Sequence, residues 1–240
     1  MNESADNIVY LIPSVLSEDA IATIPSYVMD AIHNCQVFFV ENERTTRRFL
    51  KKLSRDIVID EFEWVEMSKN AQEHQQMVAV FTTKLKEGKR IGILSEAGCP
   101  GIADPGQTLV AAAHKFGVRV KPLVGPSSIL LALMASGFNG QHFQFLGYIP
   151  IEQAERIKAL REMENDSKKR NCTQIFIETP YRNNQLLESI LKTCSPSTFL
   201  CIASNLTAEN EMVSTRTIGE WNKKLPDLHK QPVIFCLYAR

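Results

Sequence analysis

The chain has 240 residues, of which 44% are hydrophobic and 22% are charged. This composition is that of a globular protein with a substantial core, and it excludes the polar, highly charged composition of disordered chains. Lys plus Arg equals Asp plus Glu at 27 each, so no overall charge attracts the chain to nucleic acid or to an anionic membrane. Any site for a polyanion must therefore be local.

The predicted compartment follows from the cysteines, the first residues and the longest apolar run. The six cysteines are scattered without a CxxC pair, which fits reduced cytosolic thiols better than a disulfide framework. The opening MNESADN carries acids where a secretory signal would carry Lys or Arg. The longest apolar run has seven residues, whereas a membrane span needs about 20. We therefore expect a soluble, unprocessed cytoplasmic protein, and the isolated histidines indicate no metal site.

Short β-branched and aromatic runs alternate with amphipathic stretches through the first half of the sequence. Four of these runs have the length and composition of strands, at residues 7–13, 35–41, 56–62 and 90–96. Ser68 is the expected N-cap of a helix that Gly88 ends, and Gly117 ends a further helix at residues 107–116. The alternation predicts an α/β domain with a mostly parallel sheet and helices on both faces.

An extended segment with two prolines and a glycine, VRVKPLVGPSS, begins at Val118. We place the domain boundary there, which predicts an N-terminal domain of residues 1–121 and a C-terminal domain of residues 122–240. Five further strands are expected at residues 142–150, 172–179, 198–205, 211–218 and 232–239. Helices are expected at residues 152–165 and 182–194. Only a short helical stretch separates the last two strands, which favours antiparallel pairing and a mixed α+β domain.

The stretch LSEAGCPGIADPG, residues 94–106, follows an apolar run and is rich in turn residues. In an open parallel sheet, ligands bind beyond the carboxyl ends of the strands, where such a loop leaves the sheet. Glycines let a ligand approach the backbone closely, and an acid at a strand end suits a cationic or hydroxyl-bearing ligand. Neither GxGxxG nor GxxxxGK[ST] occurs in the sequence. From composition alone, a plain turn-rich connection explains the stretch equally well.

The run SEAGCPGIADPG resembles the signature [ST]-[DE]-A-G-x-P-x-x-[SA]-D-P-G of the tetrapyrrole-methylase-fold methyltransferases. The closest resemblance is to the branch that methylates ribosomal RNA at a cytidine 2′-hydroxyl. Four more segments resemble motifs of this branch, in its order and near its spacing: VGPSSI at Val124, FLGYIP at Phe145, IETPYR at Ile177 and NLT at Asn205. The resemblance therefore covers nearly the whole chain.

This resemblance implies a class III, two-domain methyltransferase that is usually a homodimer. S-adenosylmethionine (SAM) would be held in the cleft between the domains, and S-adenosylhomocysteine would be the product. The methyl group would pass in line to its acceptor, a reaction in which alignment can supply several kcal/mol. The residues that the resemblance assigns to the cofactor are Pro13, Ser95, Glu96, Ala97, Gly98, Ile102, Gly125, Ser127, Ser128, Asn205 and Leu206.

A 2′-hydroxyl acceptor needs a group that takes its proton. Glu41 and Glu178, each at the end of a predicted strand, are the candidates for this catalytic role. An N-capping or structural carboxylate is the alternative for both. For Glu178, Arg182 lies four residues later and would pair with it. A phosphate contact is the other role open to Arg182.

Residues 44–52, RTTRRFLKK, place five positive charges in nine residues. On a helix these side chains are expected to cluster on one face, away from the apolar residues. Arg44, Arg47 and Arg48 would then contact an RNA backbone and make binding salt-dependent. A solvated helix face is the alternative, and a second basic cluster at residues 168–170 is expected in an exposed loop.

The sequence departs from the family pattern mainly at positions that should face the acceptor. TPIGN appears as IPSVL, which keeps Pro13, and AEDTR appears as VENER, which keeps Glu41 and Arg44. RELTK appears as SNLTA, and KGE appears as KQP at residues 230–232. Because the cofactor motifs survive, we expect SAM binding to be kept and acceptor recognition to have changed. A small-molecule methylase of the tetrapyrrole kind and a SAM-binding protein without turnover remain alternatives.

Overall fold

Two five-stranded sheets organise the chain, one in each of two units, Met1–Ser127 and Ser128–Arg240. The computed structural model describes residues 7–68, 70 and 73–240. Residues 1–6, whose acids argued against a secretory signal, lie outside the described residues. The units divide after Ser127, whereas the sequence placed the boundary after Lys121.

The sheet of the first unit is parallel throughout. Its strands are β1 (Ile8–Leu11), β2 (Val37–Val40), β3 (Glu63–Glu66), β4 (Ile91–Leu94) and β5 (Arg119–Pro122). They lie in the order β3-β2-β4-β1-β5. The helices are α1 (Val28–Asn34), α2 (Glu43–Leu53), α3 (His74–Lys86) and α4 (Gly106–Phe116). All residues of β2 and β4 are buried, as expected for central strands of a parallel sheet with both faces covered.

Local signals in the sequence fix several helix ends of the first unit. The side chain of Asn42 accepts a hydrogen bond from the backbone N–H of Thr45, 3.0 Å away, and so caps the start of α2. Gly88 and Gly117 adopt left-handed backbone angles just beyond α3 and α4, which confirms both predicted helix ends.

Two predictions for the first unit were wrong. Residues 56–62 do not form the expected strand: Ile57 is buried in a connection, a short 3-10 turn covers Ile59–Glu61, and the strand begins at Glu63. Pairing with β2 favours the later segment, because Trp64 stacks on Phe38 of β2 at 5.2 Å between ring centroids.

The other error concerns the start of α3. Ser68 is not its N-cap, since the helix begins at His74 after the cap residue Glu73. The hydroxyl of Ser68 instead accepts the backbone N–H of Asn70, 3.0 Å away. This local turn competes with capping for the same side-chain oxygen.

The sheet of the second unit is mixed, as the sequence predicted. Its strands are β6 (Phe143–Tyr148), β7 (Thr173–Ile177), β8 (Phe199–Ser204), β9 (Met212–Thr217) and β10 (Val233–Tyr238). They lie in the order β6-β7-β10-β8-β9, with β6 parallel to β7 and the other pairs antiparallel. The last two strands do not pair with each other as expected. Instead β8 lies between them, because the short connection from β8 makes a hairpin with β9.

The helices of the second unit are α5 (Ser128–Ser136), α6 (Gln153–Arg170), α7 (Asn183–Thr193) and α8 (Ile218–Trp221). The basic cluster at residues 168–170 belongs to the last turn of α6 rather than to a loop. Three cations are favourable there because the helix dipole is negative at its C-terminus. In α5, Ala132 and Leu133 are buried, whereas Leu130 and Met134 are exposed.

Within the part of the chain that the structure describes, no helix is long and apolar enough to cross a membrane. The same residues contain no cluster of three His, Cys, Asp or Glu side chains that could hold a metal ion. All six cysteines are free thiols.

Candidate functional site

The candidate site of the first unit lies at the carboxyl ends of its central strands, where open parallel sheets bind ligands. Strand β4 lies between β1 and β2, so the loop that follows β4 is flanked by the ends of both neighbours. We call residues 95–98, Ser-Glu-Ala-Gly, the SEAG loop.

The SEAG loop is held by hydrogen bonds from both sides. On the β1 side, the hydroxyl of Ser14 donates to the carbonyl of Ser95 at 2.8 Å. The backbone N–H of Ser14 donates to the carbonyl of Gly98 at 2.8 Å, and the N–H of Gly98 donates back to Ser14 at 3.1 Å. On the β2 side, Oε1 of Glu41 accepts the backbone N–H of Glu96 at 3.0 Å. The loop is thus clamped between its two neighbours.

Glycine keeps the backbone of this region accessible. Gly98 and Gly101 have φ angles of 73° and 86°, a left-handed conformation that favours glycine. A Cβ atom added to Gly101 would have no described atom within 4 Å, and one added to Gly98 would lie 3.4 Å from Cδ2 of Leu16. A ligand can therefore approach the main chain at Gly101, whereas a Cβ at Gly98 would already be in van der Waals contact with Leu16.

Asp104 organises the second half of the signature. Its carboxylate accepts the backbone N–H groups of Gly101 and Gly106, both at 2.7 Å. Burial raises the pKa of this carboxyl, the two hydrogen bonds lower it, and the nearby charge of Glu41 raises it; the net effect is a raised pKa. Asp104 thus joins Gly101, which lies between the SEAG loop and α4, to the first turn of α4.

The segment that contains Gly125 packs against the end of β1. A Cβ on Gly125 would lie 2.0 Å from Cβ of Pro13, so the close approach of these two segments requires glycine. The thiol of Cys99 lies 3.5 Å from the carbonyl oxygen of Pro126. Ser127 ends the first unit, and Ser128 begins α5 of the second.

Two cavities of the first unit adjoin the signature. One, of about 160 Å³, lies between the SEAG loop, the residues after β1, and Arg48 and Lys52 of α2. The other, of about 350 Å³, is lined mainly by apolar groups that include Pro100, the half-exposed Ile102 and Leu123. Small-molecule sites usually occupy about 300–1,000 Å³. The larger cavity can therefore take a ring-sized apolar group, and the smaller one only a small group.

The basic side chains of α2 do not form the single cluster that the sequence predicted. Arg47 pairs with Glu43 at 3.1 Å, and its guanidinium lies 5.4 Å from the ring centre of Trp64. Arg48 instead pairs with Glu18 at 3.5 Å. The division arises because adjacent helical positions lie about 100° apart. Arg44 is exposed.

In the second unit, Glu178 follows β7 and has a buried carboxylate. It accepts hydrogen bonds from Nη2 of Arg182 at 2.6 Å and from the backbone N–H of Thr179 at 2.7 Å. Burial alone raises the pKa of Glu178, but these donors outweigh burial and hold the pKa below its usual value. The ion pair offered as the structural alternative is therefore present, although neither the catalytic role of Glu178 nor the phosphate contact of Arg182 is tested by it.

Two segments that depart from the family pattern meet in the second unit. The amide of Asn205 donates to the side-chain oxygen of Gln231 at 2.9 Å. Asn205, Thr207 and Lys230 all have positive φ angles, of 51°, 72° and 59°, which is strained backbone for residues other than glycine. Leu206 between them is buried, so a ligand could contact it mainly through its backbone.

Sequence reasoning found the signature but missed the residues that hold it. Ser14 lies in the segment that aligns with TPIGN, next to the positions read as lost, and Asp104 was read only as part of a motif. The preference of Asp for turns and helix starts was the available signal for Asp104. The contacts of Ser14 had no signal in the sequence.

Comparisons with known proteins extend the resemblance. The family described as Tetrapyrrole (Corrin/Porphyrin) Methylases matches residues 23–222. The ribosomal RNA small subunit methyltransferase I of Escherichia coli O157:H7 is 28% identical, over 98% of this chain and 80% of that protein. The protein of the same name from Vibrio cholerae serotype O1 is 29% identical, over 89% of this chain and 69% of that protein.

Two solved structures show the same fold. The methyltransferase CobJ superposes with a TM-score of 0.64 and 13% identity, over 98% of this chain and 95% of that chain. Diphthine synthase superposes with a TM-score of 0.66 and 13% identity, over 97% of this chain and 89% of that chain.

The buried ion pair predicts how stability depends on pH. Because the pKa of Glu178 is lowered in the folded protein, the pair contributes stability above the unfolded pKa of about 4.3, and this contribution is lost as the pH falls through the folded value. Glu178→Gln should lower the free energy of unfolding by about 1–3 kcal/mol at pH 7, with a smaller difference below about pH 4. Urea denaturation at both pH values measures this.

Glu188→Gln is the matched control, because Glu188 makes an exposed pair with Lys192 at 3.6 Å. It should change the stability by less than about 0.5 kcal/mol. Equal effects of the two substitutions at pH 7 would contradict the assigned role of the buried pair.

Proposed function

The chain belongs to the tetrapyrrole methylase family and is a methyltransferase, and we propose that it transfers a methyl group from SAM to a ribose 2′-hydroxyl of ribosomal RNA. The relatives named ribosomal RNA methyltransferases align over nearly the whole chain, which supports the RNA acceptor. The main support for SAM as the cofactor is the SEAG loop. Its backbone is held beside two cavities at the ligand-binding edge of a parallel sheet.

The residues present fit SAM in shape and in charge. The left-handed glycines open the backbone to a ligand, and the larger cavity offers an apolar surface. The carboxylates of Glu96 and Asp104 belong to this loop region and favour a cationic group over a neutral one. When bound, SAM supplies a methyl group on a positively charged sulfur.

We assign the cofactor contacts by the motifs of the family. In the first unit they are Pro13, Ser95, Glu96, Ala97, Gly98, Ile102, Gly125 and Ser127. In the second unit they are Ser128, Asn205 and the backbone of Leu206. The task of these residues is to bind and orient, since methyl transfer gains most from the alignment of the reacting groups.

The contacts of the arginines suggest how the acceptor is bound. Arg47 pairs with Glu43 and lies over the ring of Trp64, and Arg182 pairs with the buried Glu178, so each would have to give up these contacts before it contacts a phosphate. Arg44 is exposed, and the exposed pair of Arg48 with Glu18 is worth only about 0–1 kcal/mol. We therefore propose Arg44 and Arg48 as the first contacts of the RNA backbone.

We also propose that the active form is a cytoplasmic homodimer. An RNA acceptor and six free thiols support the cytoplasm. The edge strand β6 exposes apolar side chains, Tyr148 at its end is 61% exposed, and Ile151 just beyond it is 62% exposed, which is typical of a protein interface. A second copy of the chain is the proposed occupant, and a monomer in sedimentation at micromolar concentration would rule it out.

Cofactor binding is tested by calorimetric titration with S-adenosylhomocysteine. The wild-type protein should bind it. Gly98→Val should weaken binding by about tenfold or more, roughly 1.4 kcal/mol, because valine is strained at this positive φ and its methyl groups extend from a Cβ already in contact with Leu16. Gly117→Val is the matched control, since Gly117 has a similar φ of 78° and no described atom within 4 Å of an added Cβ. A wild-type protein that binds neither SAM nor its product would contradict the proposal.

The acceptor is tested with tritiated SAM and ribosomal RNA from a strain that lacks the protein. We expect label in this RNA, at a position that resists alkaline cleavage because its 2′-hydroxyl is methylated. RNA from the parent strain should take up little label, since its site is already filled. Binding of SAM without label in any RNA fraction would favour a small-molecule acceptor or a protein without turnover.

A further inference from the structure

Glu41 lies where two parallel strands end side by side. Strand β2 pairs with β4 so that Val40 is opposite Leu94, which makes Glu41 and Ser95 the first residues beyond the sheet. From this position Oε1 of Glu41 reaches the backbone N–H of Glu96 at 3.0 Å. The hydrogen bond joins positions 55 residues apart in sequence.

A carboxylate that accepts a backbone N–H is a strong acceptor only while it is ionised. A general base must take up a proton during the reaction. Glu41 would therefore weaken its hold on Glu96 at the moment when the cofactor has to stay aligned. The two roles conflict for one carboxylate.

We infer that Glu41 is a positioning residue, which fixes the SEAG loop through the N–H of Glu96 and leaves the proton of the acceptor to another group. The inference rests on the proposed function, because the loop it fixes is the one assigned to SAM. It replaces the catalytic role that the sequence suggested for Glu41 with a role exerted through the loop backbone.

The surroundings of Asp104 agree with this role. Burial is the main cause of the raised pKa of Asp104, and the negative charge of Glu41 contributes to it. Glu41 thus lies close enough to act on both halves of the signature. Glutamine at position 41 would keep an acceptor oxygen but would make only a neutral, weaker hydrogen bond, so Glu41→Gln should loosen the loop less than Glu41→Ala does.

The test compares Glu41→Gln with Glu41→Ala in product binding and in turnover. If Glu41 positions the loop, Glu41→Ala should weaken the binding of S-adenosylhomocysteine by about tenfold, the loss of one charge-assisted hydrogen bond. Glu41→Gln should stay within about threefold of the wild-type affinity and keep the wild-type pH dependence of kcat. Glu43→Ala, which removes a neighbouring carboxylate paired with Arg47, controls for the loss of charge.

Two results would overturn the inference. One is a fall in kcat of about 100-fold or more in Glu41→Gln, with unchanged product affinity and loss of the acidic limb of the pH profile, since this indicates a base. The other is wild-type product affinity in Glu41→Ala. Thermal denaturation of each variant verifies that it is folded.

A measurement that does not depend on cofactor binding distinguishes failure of the proposed function from failure of the positioning role of Glu41. If the wild-type protein binds no SAM product, the proposed function fails, and the backbone amide resonance of Glu96 still tests the hydrogen bond. A large shift of this resonance in Glu41→Ala with a small one in Glu41→Gln supports the positioning role. Equal spectra of all three proteins at Glu96 would overturn it.

Discussion

The candidate site of the first unit depends on the clamp that holds the SEAG loop between the ends of β1 and β2. Four hydrogen bonds between the loop and Ser14 or Glu41 make this clamp. Each contributes about 0.5–1.5 kcal/mol to stability. Ordering the backbone of one residue costs about 1–2 kcal/mol. For the four residues of the loop, the entropy cost of ordering the backbone is similar to the stabilisation that the four hydrogen bonds supply. The order of the loop therefore depends on every bond in the clamp.

This balance explains why the site is built from backbone and turn residues rather than from a cluster of reactive side chains. A methyltransferase has to align its donor and acceptor, and a loop that is ordered before binding avoids the entropy cost of ordering it afterwards. The glycines open the main chain, and Asp104 joins Gly101, just beyond the loop, to α4. Gly125 packs closely against Pro13 at the end of β1. In the second unit, by contrast, Glu178 and Arg182 neutralise each other, which favours a structural task for that pair.

The sequence predicted the elements that have strong local signals. The apolar runs of β2 and β4 and the glycine stops of α3 and α4 can be read from composition, and the signature from its resemblance to a family. Residues 56–62 were wrongly predicted as a strand because Ile57 is buried in the core although it belongs to a connecting segment. The strand forms one segment later, where Trp64 stacks on Phe38. The clamp depends on the register of three strands, and a single sequence does not encode which side chains that register brings together.

The most direct test of the account is hydrogen exchange of the backbone amides of Glu96 and Gly98, with and without S-adenosylhomocysteine. Both amides are donors in the clamp, so both should be protected in the free protein and more strongly protected when the product binds. Fast exchange at both positions in the free protein, unchanged by the product, would show that the loop is neither preformed nor the cofactor site.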